Sequence, residues 1–262
     1  MLDSFPMSGV ERVLFYLNFI GELVLLVRLM QLELHRAYRS LFLFWLVQML
    51  TTLAILPVRM ATFTYMYMYW GTQTLTLIMA MYVVQDVYRI ALLEHPAVAV
   101  FGRRSVMAIM AVAAILALPG VTLDSTILPG QYAAIHRFAT FERTMNFVIL
   151  VFLLLISGLL LWFPIKVRRN IVVYIAGFVL YSASRSAGLL VSNLLPLAAT
   201  RQVSTILLAL TLFCLLIWIV GIRPEGELVT ATPGYRRNPE SVLRLSRQLD
   251  AINAALARFV RN

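Results

Sequence analysis

Residues 202–222 read Gln202-Val-Ser-Thr-Ile-Leu-Leu-Ala-Leu-Thr-Leu-Phe-Cys-Leu-Leu-Ile-Trp-Ile-Val-Gly-Ile222. The run contains no acidic or basic side chain. A helix needs about 20 apolar residues to cross the hydrocarbon core of a bilayer, and this run has that length and composition. Lipid offers the backbone no water, so the helix, which satisfies its own N–H and C=O groups, is the form such a run takes. Working outward, stretches 10–33, 40–58, 68–92, 104–121, 139–163 and 170–195 have the same character. The expected fold is all-α. It is a polytopic membrane bundle of seven transmembrane helices over 1–222, a linker over 223–239 and a short C-terminal cytoplasmic amphipathic helix over 240–262.

Composition supports this reading. Of 262 residues, 61% are hydrophobic and 13% charged, and mean hydropathy is +0.85. A soluble domain carries about 45–50% apolar and about 25% charged residues, so one water-facing core cannot hide this excess. The net charge of +10 does not point to nucleic acid. The arginines sit between apolar runs, where they mark the cytoplasmic side and meet anionic lipid headgroups. The lone Cys214 lies inside an apolar run and excludes an intrachain disulfide and CxxC chemistry. The first residues lack a basic n-region and a small-residue cleavage site, so the first helix is expected to stay as an anchor.

Orientation follows from the loops. The connection after the first helix carries Arg36 and Arg39. That after the third carries Arg103 and Arg104, and that after the fifth carries Lys166, Arg168 and Arg169. The tail adds Arg223, Arg236, Arg237, Arg244 and Arg247, among others. The opposite set is poorer, with Arg12, Arg59, Arg137 and Arg201. The bias places the N-terminus outside and the tail in the cytoplasm, which an odd number of helices requires. Tyr65-Met-Tyr-Met-Tyr-Trp70 reads as an outer aromatic belt, and Trp162 and Trp218 as an inner one.

The tail changes character. Asn238-Pro239-Glu240 resembles a helix start. Val242, Leu245, Leu249, Ile252, Leu256 and Phe259 then alternate spacings of three and four, an a/d seam. Such a helix can lie on the membrane surface, pair with a second copy as a homodimer, or dock on a cytoplasmic partner or the protein's own loops.

Ionisable groups at membrane depth are costly, and each is a functional candidate. Glu22 lies near the middle of the first helix and Arg185 near the middle of the sixth, within Tyr181-Ser-Ala-Ser-Arg-Ser186. Both stand about 16–20 Å from the outer ends of their helices. The geometry therefore allows a Glu22–Arg185 pair with Tyr181 and Ser182 nearby, as a packing pin or as a ligand or proton site, and the sequence leaves open whether the two pair. Asp86 and Arg89 share a face of the third helix near its inner end, with Arg28 at similar depth. Glu142 and Arg143 open the fifth helix near the outer face, followed by Asn146. Both groups read as interfacial ion-pair networks.

Other chemistry is missing. His35, His95 and His136 stand in or beside loops, and neither HExxH nor a Gly-rich phosphate loop occurs. Lys166, the single lysine, lies outside the last helix, which argues against a retinal Schiff base. No metal or cofactor is expected.

Phe141-Glu-Arg143, Arg169-Asn-Ile-Val-Val173, Asn238-Pro-Glu240 through Leu245 and Gln248-Leu-Asp-Ala-Ile-Asn253 carry a likeness. In these words the chain resembles a family of uncharacterised bacterial seven-helix integral membrane proteins. The resemblance implies a seven-helix body in the bacterial cytoplasmic membrane and a helical cytoplasmic tail, and it implies no activity. The expected function is that of a non-enzymatic sensor or scaffold in a membrane complex. A small-solute or proton-coupled transporter using Glu22 and Arg185 is the alternative.

Overall fold

The computed structural model describes residues 9–55, 63–93, 95–123, 131–163, 167–194, 197–231 and 239–261. It is all-helical apart from two strands of two residues each. The helices are α1 (Gly9–Gln31), α2 (Arg39–Ile55), α3 (Phe63–Ala91), α4 (Pro96–Leu123), α5 (Gln131–Trp162), α6 (Arg169–Leu194), α7 (Leu197–Gly221) and α8 (Pro239–Arg261). Among the described residues four helical segments are long and apolar enough to cross a membrane: Gly9–Gln31, Phe141–Trp162, Arg169–Gly188 and Gln202–Gly221. The apolar α2 is shorter, at 17 residues.

The helices close a ring. Each of α1 to α7 packs on its neighbour in sequence, and α7 returns to α1. Helix α3 also packs on α5 and touches α6, which leaves α4 on the outer side of the α3–α5 contact. Helix α1 shows why the arrangement suits lipid. Its outward face carries Val10, Val13, Leu17, Ile20, Val24 and Val27, all exposed. Its inward face holds Asn18, Gly21, Glu22, Leu25 and Leu29. A continuous exposed apolar stripe over buried polar groups inverts the pattern of a water-soluble helix. Gly21 brings α1 close to Leu212 and Leu215 of α7. Asn18 seals the contact by donating to the Leu208 carbonyl at 2.9 Å, the use of small and polar residues expected between helices in lipid.

Rings fill the middle. Phe44 and Trp45 of α2 meet Phe178 and Tyr181 of α6 and Trp218 of α7, with centroids 4.9–5.8 Å apart and mostly edge-to-face, a geometry favoured by the ring quadrupoles. Trp218 is fully buried and lies flat against Gly177, where a Cβ would collide with the indole. Its assignment to an inner aromatic belt is therefore wrong: a glycine on the facing helix makes the room that takes it inside. Trp162 is exposed. In the outer aromatic run Tyr67 is exposed, whereas Trp70 stacks on Phe138 at 5.9 Å. The side chain of Tyr65 lies outside the described residues. Cys214 is free and buried.

Two boundaries differ from the sequence reading. Helices α4 and α5 begin about two turns earlier than hydropathy indicated, because Pro96 is well placed in a first turn and because the polar run from Gln131 to Thr140 continues the helix beyond its apolar part. The stretch 223–239 is also not wholly a linker. Pro224–Glu227 forms a 3₁₀ turn. Thr230–Ala231 then pairs antiparallel with Val167–Arg168.

Replacing Gly177 with Ala should lower stability in detergent by about 1–3 kcal/mol, the usual range for overpacking. Gly158→Ala, whose Cβ meets nothing within 4 Å, should change it by less than about 1 kcal/mol in either direction. Thermal unfolding followed by tryptophan fluorescence compares the two; equal melting points would show that the Trp218 packing is not as described.

Candidate functional site

Arg185 of α6 is held by α5 and α3. Its Nη2 donates to Glu142 Oε1 at 2.6 Å and to Gln73 Oε1 at 3.0 Å. The second Glu142 oxygen accepts from the Tyr69 hydroxyl at 3.2 Å. The Glu142 side chain is 2% exposed and that of Arg185 28%, so the acid is enclosed and the base reaches an edge. Asn146, one turn on, donates to the Glu142 carbonyl at 3.0 Å. Arg143 is half-buried and about 100° around the helix from Glu142, and it takes no part in this cluster. The sequence leaves open whether Arg185 pairs with Glu22; its partner here is Glu142. Because α5 starts at Gln131, Glu142 lies about 16 Å inside it rather than at its mouth. Arg185 stands about 14 Å from the Leu194 end of α6, a similar depth.

Glu22 stands apart. It is 5% exposed, and its Oε2 has no hydrogen-bond partner. Tyr181 sits in electrostatic range of Glu22 and of the Arg185–Glu142 pair. Ser182 is buried beside it. Ser186 is buried with an unpartnered hydroxyl. A charged carboxylate without a cation or donor costs several kcal/mol in such surroundings. Among the described residues Glu22 is the buried acid with an unpartnered side-chain oxygen.

The inner cluster divides. Asp86 accepts from Ser40 at 2.5 Å and pairs with Arg89 at 2.9 Å. Ser40 shares a further hydrogen bond of 2.7 Å with Tyr174. Arg28, which the sequence placed with Asp86, instead turns to α7, where its Nη2 is 3.5 Å from the Ile222 carbonyl.

Sequence reasoning missed a clamp at the same end. Glu227, in the 3₁₀ turn after α7, accepts from Tyr38 at 2.5 Å, from Asn170 at 2.8 Å and from Arg168 at 2.6 Å. Asn170 also donates to the Arg223 carbonyl at 2.8 Å and accepts from its N–H at 3.2 Å. Gly226 lies so close to Asn170 that a Cβ there would collide with its amide. Burial alone would raise the Glu227 pKa, but the Tyr38, Asn170 and Arg168 hydrogen bonds and the Arg168 charge outweigh it and leave the carboxyl below its ordinary value. The signal in sequence was thin: an asparagine in the first turn of α6 and an acidic Pro224-Glu-Gly-Glu227 turn.

A third polar contact joins the tail to the body. Asn253 Oδ1 of α8 accepts from the N–H groups of Ala97 at 3.0 Å and Val98 at 3.3 Å. These are unsatisfied first-turn donors of α4, and Asn253 fills the role of an N-cap from a distant part of the chain. Leu249 is buried beside it. Asp250 Oδ1 stands 3.9 Å from His95 Nδ1, a contact that is ionic only when the imidazole is protonated. Of the remaining seam, Leu245 is half-buried and Ile252 exposed; the side chains of Val242, Leu256 and Phe259 lie outside the described residues.

Among the described residues no three His, Cys, Asp or Glu side chains come together at metal-binding distance. No protein family, curated protein or solved structure matches the chain.

Glu142→Gln and Arg185→Gln should each cost about 3 kcal/mol, since each strands a buried charge. The double variant should cost at least about 1 kcal/mol less than their sum. Additive losses in a thermal-unfolding cycle would mean that the pair is not coupled. Glu227, with a lowered folded pKa, contributes stability in full above its ordinary value of 4.5. That contribution is lost as pH falls through the lower folded value. Acid unfolding of the wild type should therefore be steeper below pH 4.5 than that of Glu227→Gln; parallel curves would remove the clamp from the account.

Proposed function

We propose that the chain is a non-enzymatic seven-helix protein of the bacterial cytoplasmic membrane, a sensor or scaffold whose C-terminal helix is the output element. In this reading α1 to α7 all span, the N-terminus is outside, and α8 is an amphipathic cytoplasmic helix. The arginine-rich connections after α1, α3 and α5 support the orientation. The ring of seven consecutive helices supports the number of spans, because α2, α3 and α4 pack in it beside the four helices whose described residues are long and apolar enough to cross.

One observation carries the functional reading: α8 is held to the body by the Asn253 cap on α4. Such a contact is specific and small. An N-cap is worth about 1 kcal/mol, so a modest shift of α4 frees the tail. Helix α4 packs on α3 and α5, which carry Gln73 and Glu142, the two residues that grip Arg185. A change at Arg185 therefore reaches α8 through one intervening helix. Released, α8 uncovers Leu249 and presents it with Val242, Leu245, Ile252, Leu256 and Phe259 of the same seam to a cytoplasmic partner or a second copy. Two discrete positions of α8 are what a packing shift needs in order to act as a signal.

A second reading rests on Glu22. A buried carboxyl with one oxygen unpartnered suits a small-solute or proton-coupled transporter, with Arg185 and Tyr181 near the path.

Spin labels at Arg104 of α4 and Ala251 of α8, both exposed, report the docked distance. Asn253→Ala should shift the docked-to-free ratio by about fivefold toward free and increase recovery of a cytoplasmic partner from gently solubilised membranes. Truncation after Ala231 keeps the Glu227 clamp and should abolish that recovery. Unchanged distances in Asn253→Ala, together with Glu22-dependent flux in proteoliposomes, would replace the sensor by the transporter.

A further inference from the structure

Arg28 has no acidic partner among the described residues. Its Nε is buried with no acceptor, and its one hydrogen bond, to the Ile222 carbonyl, is at the long limit of 3.5 Å. It lies at the foot of an open groove between α1 and α7. The groove has a volume of about 320 Å³ and is lined by Leu23, Val24, Val27, Arg28, Gln31 and Ile219.

The lining is ordered by chemistry. Leu23, Val27 and Gln31 are four residues apart on α1, as are Val24 and Arg28, so they form one stripe about 12 Å long. Its first part is apolar and exposed. Its last turn supplies a guanidinium and a primary amide. Ile219 of α7 makes the opposite wall. Both walls belong to helices long and apolar enough to cross a membrane, and the groove opens outward from the bundle. An apolar track ending in a partly buried cation and an amide donor matches an acyl chain that ends in a phosphate. Guanidinium is the side chain best suited to a phosphodiester, since it donates two parallel hydrogen bonds and carries permanent charge.

We infer that the α1–α7 groove is a binding site for one anionic phospholipid, with an acyl chain along Leu23, Val24, Val27 and Ile219 and its phosphate on Arg28 and Gln31. The groove is at the small end of the range for ligand sites, about 300–1,000 Å³, which fits a length of chain and a phosphate rather than a whole lipid. The lipid phosphate meets a guanidinium whose one hydrogen bond is at the long limit, and the chain covers a seam where α1 meets the last turns of α7. The leaflet rests on the proposed orientation, which makes it the inner one; the binding itself does not.

Native mass spectrometry of the full-length protein, titrated with phosphatidylglycerol and with phosphatidylcholine of identical acyl chains, tests the site. The wild type should bind one phosphatidylglycerol in preference to phosphatidylcholine. Arg28→Gln should reduce that preference by about tenfold or more, as loss of a charge-assisted hydrogen bond entails. Val24→Trp, which fills the track from an exposed position, should lower occupancy by both lipids. Arg36→Gln removes an equal charge from the exposed loop beyond α1 and should leave the preference intact. Equal binding of the two lipids by the wild type would overturn the inference, as would an unchanged preference in Arg28→Gln or an equal loss in Arg36→Gln. Asn253→Ala should bind lipid as the wild type does, so failure of the tail reading and failure of the lipid site are distinguishable.

Discussion

The Arg185–Glu142 ion pair is the constraint around which the helices are arranged. A charged guanidinium or carboxylate inside a bundle of this composition is costly without a partner, and neither Arg185 nor Glu142 has one on its own helix. Glu142 on α5, Gln73 and Tyr69 on α3 and Arg185 on α6 can satisfy one another only if the three helices meet side by side at one depth. Apolar packing between helices in lipid says little about register, because lipid tails are as apolar as leucine. Polar pairing says a great deal, because one turn of sliding separates the groups. With α3, α5 and α6 fixed, α4 takes the outer side of the α3–α5 seam. The aromatic rings of α2, α6 and α7 occupy what is left in the middle.

The Glu227 clamp does the same for the loops. Tyr38 follows α1, Arg168 and Asn170 begin α6, and Glu227 follows α7. One carboxylate thus gathers three separate connections at one end of the bundle. The two-residue strand pair beside it continues the gathering with backbone bonds. The segment leading to α8 therefore leaves the body from a fixed point, which limits where α8 can reach and favours its contact with α4.

Much of the helical architecture was legible in the sequence, since hydropathy and length identify apolar helices with no knowledge of packing. The site was legible only in part. Glu22, Arg185, Asp86 and Glu142 declared themselves as charges in apolar surroundings, and Asp86–Arg89 followed from spacing on one helix. The partner of Arg185 did not follow. Depth was measured from the apolar edge of α5, while the helix itself continues through a polar segment to Gln131. Trp218 was misplaced because a tryptophan near the end of an apolar run has the same local sequence whether it faces headgroups or a glycine on a neighbouring helix. Ser40, Asn170 and Asn253 are small polar residues of a kind found in any loop or helix. Their roles exist only once distant segments have been brought together.

The Asn253 cap has a consequence for biosynthesis. The donors it satisfies belong to Ala97 and Val98, and the acceptor comes 155–156 residues later. At about 5–20 residues per second, translation reaches that acceptor roughly 10–30 s after the start of α4 has been made. Throughout that interval the first-turn N–H groups of α4 are open to whatever acceptor is near, water included. Helix α8 thus completes a helix made long before it, and the cap closes only after α1 to α7 have all been synthesised.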